Sequence, residues 1–235
     1  MTVYIFSVDG NIGSGKSTFI KRLGKYLKKI EGIPIIYLQE PVQDWKGIKH
    51  DDNKNLIEKY YEDQEKWGFS FQITTLISRI SQIKNTISNN LNCIIITERS
   101  ICSDKNVFCQ MLYDTNVINT LDYNIYLRWF NEFIKDYPIN GYIYIKTKPE
   151  KALERVLKRK RKGEEAIPIE YLSLCNNYHN IWLKKEENLL ELNGNLDLDD
   201  IPSEWIQSVK SFIKPFLPPE VDPFELEFLM SHPFL

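Results

Sequence analysis

The stretch Tyr4-Ile5-Phe6-Ser7-Val8-Asp9-Gly10-Asn11-Ile12-Gly13-Ser14-Gly15-Lys16-Ser17-Thr18 decides the fold. Residues 4–8 form a short β-prone apolar run, Asp9-Gly10 opens a glycine-rich turn, and Ile20, Leu23, Leu27 and Ile30 then recur at helical spacing. The reading is strand, loop, helix. Residues 10–17 satisfy G-x-x-x-x-G-K-[ST] in the context that the phosphate-binding loop requires. Gly10, Asn11, Ile12, Gly13, Ser14 and Gly15 supply a backbone whose N–H groups turn toward phosphate oxygens, and the helix beginning near Gly15 adds the positive end of its dipole. Lys16 is expected to reach the β- and γ-phosphates and Ser17 to offer a hydroxyl to Mg²⁺, with Thr18 assisting or capping the helix. The rival is a glycine-rich turn before an ordinary helix, which the matching strand, turn and helix lengths argue against.

Working outward, further apolar runs occupy residues 33–38, 93–97, 142–145 and 189–192, separated by long helical stretches. This alternation predicts an α/β fold, a P-loop three-layer α/β/α arrangement with a five-stranded parallel sheet. Long helices are expected over residues 55–89 and about 123–135, with a strongly basic one over 151–161. Residues 1–217 are read as one domain. The tail, 218–235, rich in Pro, Glu and Phe, shows no usable periodicity.

Composition narrows the function classes. A chain of 235 residues with 43% hydrophobic and 26% charged residues is an ordinary globular mixture, without an apolar run long enough for a bilayer and without a signal-peptide pattern at its start. Thirty basic residues against 32 acidic ones leave a net charge of −2, so the totals suggest neither a nucleic-acid polymer nor an anionic membrane as partner. Cys93, Cys102, Cys109 and Cys175 lack C-x-x-C spacing, which fits reduced thiols in a cytoplasmic setting.

In sheets of this kind ligands bind beyond the carboxyl ends of the strands. The second run leads into Gln39-Glu40-Pro41-Val42-Gln43-Asp44-Trp45, and the third into Thr97-Glu98-Arg99-Ser100. Two carboxylates and a guanidinium therefore converge beside the phosphate loop. Phosphoryl transfer needs a group to orient or deprotonate the acceptor, a ligand for Mg²⁺, and cations around the moving oxygens. Glu40, Glu98 and Arg99 supply these types. Each alone also reads as a surface acid or an exposed ion pair.

On the long helix Gln72, Thr75 and Arg79 share one face, polar where a core stripe would be apolar. An amide that donates and accepts suits the edge of a base, and Arg79 with Asp104 can form a charge-assisted pair. Periodicity alone favours a solvated face. Phe71 and Phe108 can stack on or edge a base, with core packing the rival. Arg155, Arg159, Lys160, Arg161 and Lys162 form the densest positive run. It reads as a solvated face or, given a triphosphate site, as arginines that close over it.

With these residues in view, the chain resembles the deoxynucleoside kinase family, in particular its deoxycytidine and deoxyguanosine kinase branch. The resemblance runs from Ile5 to about Leu183. It is carried by residues 10–18, Glu40-Pro41-Val42 with Trp45, Trp67-Gly68-Phe69-Ser70-Phe71-Gln72 and Ser78-Arg79. Then follow Glu98-Arg99-Ser100 with Ser103-Asp104, residues 155–165, and Ile167-Pro168-Ile169-Glu170-Tyr171-Leu172. It implies that ATP is the phosphoryl donor with Mg²⁺, and that the acceptor is the 5′-hydroxyl of a deoxynucleoside. Glu40 is then the general base, Arg99 positions the hydroxyl, and Glu98 with Ser17 holds the metal. Lys16, Arg155, Arg159 and Arg161 neutralise phosphate charge, the last three in an Arg-rich lid. Val42, Trp45, Phe71, Gln72, Thr75 and Phe108 surround the nucleoside, and Arg79 with Asp104 meet the base.

By the same resemblance Tyr61 and Glu164 meet the 3′-hydroxyl. The family's adjacent Glu pair aligns here to Gly163-Glu164, with another acid at Glu165, so the partner of Tyr61 is either Glu164 or Glu165. Residues 193–198 would touch the adenine. Arg79 near the position of a thymine methyl implies preference for deoxycytidine or purine deoxynucleosides. Thr75 departs from the small residue common in deoxycytidine kinase, which leaves the ranking among these open. A homodimer is also implied. The rivals are a nucleoside monophosphate kinase, which would need cations rather than a carboxylate base at its acceptor, and a non-catalytic nucleotide-binding module.

Overall fold

The computed structural model describes residues 2–162, 164, 167–197 and 199–219. The Gly163, Glu165 and Leu198 positions and residues 220–235 of the tail lie outside the described residues.

In chain order the elements are β1 (Thr2–Asp9), α1 (Lys16–Tyr26), β2 (Lys29–Ile30), β3 (Ile33–Leu38), α2 (Val42–Gly47), α3 (Leu56–Glu62) and α4 (Gln64–Asn89). β4 (Asn92–Glu98), α5 (Ile101–Ser103), a π-helical turn (Asp104–Cys109), α6 (Gln110–Asp114), α7 (Thr120–Phe133) and β5 (Gly141–Lys146) follow. The chain then runs through α8 (Pro149–Arg159), α9 (Ile169–Leu183), β6 (Leu189–Asn193) and α10 (Ser203–Ile213), ending in a 3₁₀ turn (Lys214–Phe216). The described strands form one sheet in the order β2-β3-β4-β1-β5-β6. Every pairing is parallel except β2 with β3.

The five-stranded expectation is thus corrected to six. Each predicted apolar run became a parallel strand, and the addition is a two-residue antiparallel edge at Lys29–Ile30, too short to register as an apolar run. Alternate residues of the strands face opposite layers. Phe6, Val8, Ile94, Ile96, Ile143 and Ile145 pack on Phe19, Ile20 and Leu23 of α1 and on Val209 and Ile213 of α10. On the other side Ile5 and Ile95 meet Ile83 of α4, while Tyr142 and Tyr144 meet Tyr126 of α7 and Trp182 of α9. Burial on both faces explains why the strands read as near-continuous apolar runs.

The helix expected over residues 55–89 is divided. Asp63 adopts an extended backbone between α3 and α4, and its carboxylate accepts from the Lys66 N–H, so it ends one helix and caps the next. The basic helix also ends earlier than expected. Lys160 takes a left-handed conformation (φ 49°) that stops α8 at Arg159 and leaves Arg161 beyond it.

Candidate active site

The parallel strands deliver the phosphate loop between β1 and α1, Glu40 after β3, and Glu98-Arg99 at the end of β4 to one rim of the sheet. A cavity of about 370 Å³ opens there. It is lined from the loop by Ile12, Gly13, Gly15, Lys16, Ser17 and Thr18, and from the strand ends by Glu40, Glu98 and Arg99. Val42, Trp45, Tyr61, Phe71, Gln72, Thr75, Arg79, Asp104 and Phe108 line its inner part, and Arg155, Arg159, Arg161 and Glu164 its outer part. Of the residues singled out in the sequence, Gly10 and Asn11 stand behind the wall, and Ser14 borders a neighbouring cavity shared with Gly194, Leu196 and Asp197.

The loop is tightly cradled. Gly13 has φ 79°, and a Cβ there would lie 2.3 Å from the Ala152 carbonyl oxygen. Gly13→Ala combines a left-handed strain with a backbone clash against α8. It is expected to destabilise the fold by more than about 1 kcal/mol and to weaken ATP binding, as read by denaturant unfolding and nucleotide titration.

Lys16 is 4% exposed, and its Nζ donates to the carbonyls of Asn11 (2.7 Å) and Gly10 (3.0 Å). Burial, helped by the nearby Arg99 charge, pushes its ammonium down to about 7. A triphosphate favours the charged form. Binding of magnesium-free ATP at about pH 8 should therefore take up close to one proton, visible as a dependence of the calorimetric heat on the buffer's ionisation enthalpy. Heat independent of the buffer would contradict this.

Ser17 Oγ donates to Glu98 Oε1 at 2.6 Å. This hydroxyl at the start of α1 and this carboxylate at the end of β4 are hard oxygen donors of the type Mg²⁺ takes, so the residues present fit that ion.

Glu40 sits among cations. Its Oε1 accepts from Arg79 Nη2 (2.6 Å) and Arg99 Nη1 (3.0 Å). Burial opposes its ionisation, yet Arg99, Arg79 and Lys16 outweigh it and hold the carboxyl at about 2. Arg99 itself has φ 61°, a left-handed backbone that costs about 1–3 kcal/mol in a non-glycine residue. Its N–H donates to the Val8 carbonyl and its Nη2 to the Gly10 carbonyl, stitching β4 to β1.

In the inner pocket Gln72 is 2% exposed and its Oε1 has no partner among the described residues, as does Arg99 Nε. A buried acceptor left open in a cavity calls for a ligand donor. Phe71 stacks on Tyr60 at 4.4 Å and meets Trp45 edge-on, so it packs and lines the cavity at once. Phe108 lies under the Arg99 guanidinium at 4.9 Å.

At the outer end Arg159 Nε and Arg161 Nη1 donate to Glu164 at 2.8 and 3.1 Å. Arg155 instead donates to the carbonyls of Gly194 and Leu196 and to Asp197, which ties α8 to the loop after β6.

The deoxynucleoside kinase family model matches residues 6–214, most of the chain and all of this site. The chain belongs to the deoxynucleoside kinase family. It is 34% identical over 203 residues to a Fowlpox virus protein named "Probable deoxycytidine kinase FPV151", covering 83% of this chain and 80% of that one. It is 32% identical over 241 residues to deoxycytidine kinase 2 of Gallus gallus, covering 88% and 89%. A mitochondrial deoxyguanosine kinase of Xenopus laevis is 29% identical over 204 residues, covering 79% and 75%. The resemblance read from the motifs holds, and the activity is that of an ATP-dependent deoxynucleoside kinase.

In this kinase Asp9 is a further site-supporting residue that its sequence context does not mark. Its carboxylate is fully buried and accepts from Ser7 Oγ at 2.6 Å and from Ser103 Oγ, which in turn accepts from the Ser100 N–H. That network anchors the backbone directly after the left-handed Arg99. The only sequence signal was an acid ending a buried strand. Ile57, Tyr60 and Tyr171 also line the cavity and were not among the expected site residues. No described helix is long and apolar enough to cross a membrane.

Proposed function

We propose that the chain transfers the γ-phosphoryl group of ATP to the 5′-hydroxyl of a deoxynucleoside with Glu40 as general base. The observation that carries this reading is the position of Glu40. It lies in one cavity with both the phosphate loop and the polar face of α4 formed by Gln72, Thr75 and Arg79. Arg99, hydrogen-bonded to Glu40, positions the hydroxyl. Lys16, with Arg159 and Arg161 closing as a lid once phosphates displace Glu164, neutralises charge on the transferring group. Arg155 acts at the donor side, where its bonds to Gly194 and Leu196 border the space for adenine. Ser17 and Glu98 would hold Mg²⁺, which when bound would supply positive charge to neutralise phosphate oxygens.

For the acceptor, Gln72 reads the edge of the base, Val42, Trp45, Phe71, Thr75 and Phe108 enclose it, and Tyr61 with Glu164 takes the 3′-hydroxyl. The buried Arg79–Asp104 pair, 2.8 Å apart, supports preference for deoxycytidine or a purine deoxynucleoside over thymidine. The names of the relatives support the same choice. We further propose a homodimer, supported by the exposed apolar residues Leu121, Ile125 and Trp129 of α7, and a cytoplasmic location, supported by four free, buried cysteines. Initial rates with each of the four deoxynucleosides and their monophosphates, using ATP and Mg²⁺, test the reading. Phosphorylation of deoxycytidine or a purine deoxynucleoside is expected, and activity confined to monophosphates would defeat it.

A further inference from the structure

The guanidinium of Arg79 has partners at both ends of the acceptor pocket. Its Nε donates to Asp104 Oδ2 at 2.8 Å, its Nη1 to the Glu98 carbonyl at 2.8 Å, and its Nη2 to Glu40 Oε1 at 2.6 Å. The side chain is 3% exposed and is further held over the face of Trp45, whose Nε1 donates to Ser78 on the same helix. A planar fork fixed at three edges cannot shift at one end without moving the others.

We propose that Arg79 is a positioning residue for Glu40, so that the group meeting the base through Asp104 also fixes the aim and ionisation of the carboxylate meeting the sugar alcohol. The proposal rests on the reading of Glu40 as the base and adds to it a specificity device: base identity is felt in kcat as well as in KM. A base that fits against Asp104 leaves the fork in place. One that displaces the fork unseats a hydrogen bond to the reacting carboxylate.

Three cations surround Glu40, each from a different element. Arg79 projects from α4, Arg99 from the end of β4 and Lys16 from the start of α1, and all three favour the carboxylate. Asp104, on the π-helical turn, is the nearby acid on the far side of Arg79. Taking Arg79 away removes one of the three cations while burial remains, so the Glu40 carboxyl must titrate at higher pH.

The test compares wild type, Arg79→Met with Asp104→Ala, and Asp104→Asn. Joint removal of the buried pair avoids stranding an acid, and Asp104→Asn alters the base contact while keeping Arg79 on Glu40. The Glu40 carboxyl is followed by ¹³C NMR in protein labelled at glutamate carboxyls, its signal identified by loss in Glu40→Gln, alongside kcat/KM for deoxycytidine against pH. The double variant is expected to shift the titration, and the acid limb of the rate, upward by at least about one pH unit, a tenfold change in ionisation. Asp104→Asn, which removes only a neighbouring negative charge, should leave it at or below the wild-type position. An unshifted carboxyl in the folded double variant, or an equal shift in Asp104→Asn, overturns the role given to Arg79. Should Glu40→Gln retain wild-type kcat, the reading of Glu40 as base falls first and the proposal with it.

Discussion

Glu40→Gln is expected to lower kcat by about two to four orders of magnitude, the usual contribution of a positioned general base, with much smaller changes in KM for ATP. Glutamine keeps the shape and can still accept from Arg79 and Arg99, so the loss is confined to proton acceptance and charge. With its carboxyl held at about 2, Glu40 is ionised at neutral pH and ready to hydrogen-bond a hydroxyl, although so low a value makes it a weak base in the free protein. Its basicity must come from the arriving triphosphate, whose negative charge offsets Lys16 and Arg99. Single-turnover phosphorylation of deoxycytidine checks the size of the effect. Circular dichroism and deoxycytidine binding show whether the fold and pocket survive.

The second large effect concerns the base. Arg79→Met with Asp104→Ala should raise kcat/KM for thymidine relative to deoxycytidine by about 10- to 200-fold, measured at about pH 8 so that Glu40 stays ionised. The pair is buried, at 3% exposure for both side chains, and makes its hydrogen bonds within the pocket. Removing one partner would leave an uncompensated buried charge, typically at a cost of about 3–5 kcal/mol, whereas replacing both by apolar side chains avoids that cost. The single Arg79→Met variant should therefore be clearly less stable than the double one. Unchanged thymidine turnover in the folded double variant would mean that the Arg79–Asp104 pair does not set base preference.

Most of the fold was legible because a buried parallel sheet writes itself as separated apolar runs, and the P-loop fixes which run comes first. Residues 33–38 and the strand ends at Glu40 and Glu98-Arg99 were read from that pattern alone. Features that depend on backbone detail were not legible. Nothing in the letters around Asp63 distinguishes a helix interior from a break, because its carboxylate caps α4 only once the chain turns there. The two-residue β2 has no periodicity to detect. Within the site, residue types and spacing placed Gln72, Thr75 and Arg79 on one face, but the link from Arg79 to Glu40 spans 39 positions and arises only from tertiary packing. Asp9 escaped for a related reason: its partners Ser7 and Ser103 are distinctive only when β1 and α5 are brought together.

A crystal structure of the kinase with ADP and deoxycytidine measures the central relation directly, the distance from the Glu40 carboxylate to the nucleoside 5′-oxygen. The account predicts hydrogen-bond contact, about 2.6–3.2 Å, with the base at Gln72 and the 5′-oxygen directed toward the phosphate loop. A nucleoside bound with its 5′-oxygen remote from Glu40, or that carboxylate turned to solvent, would contradict it.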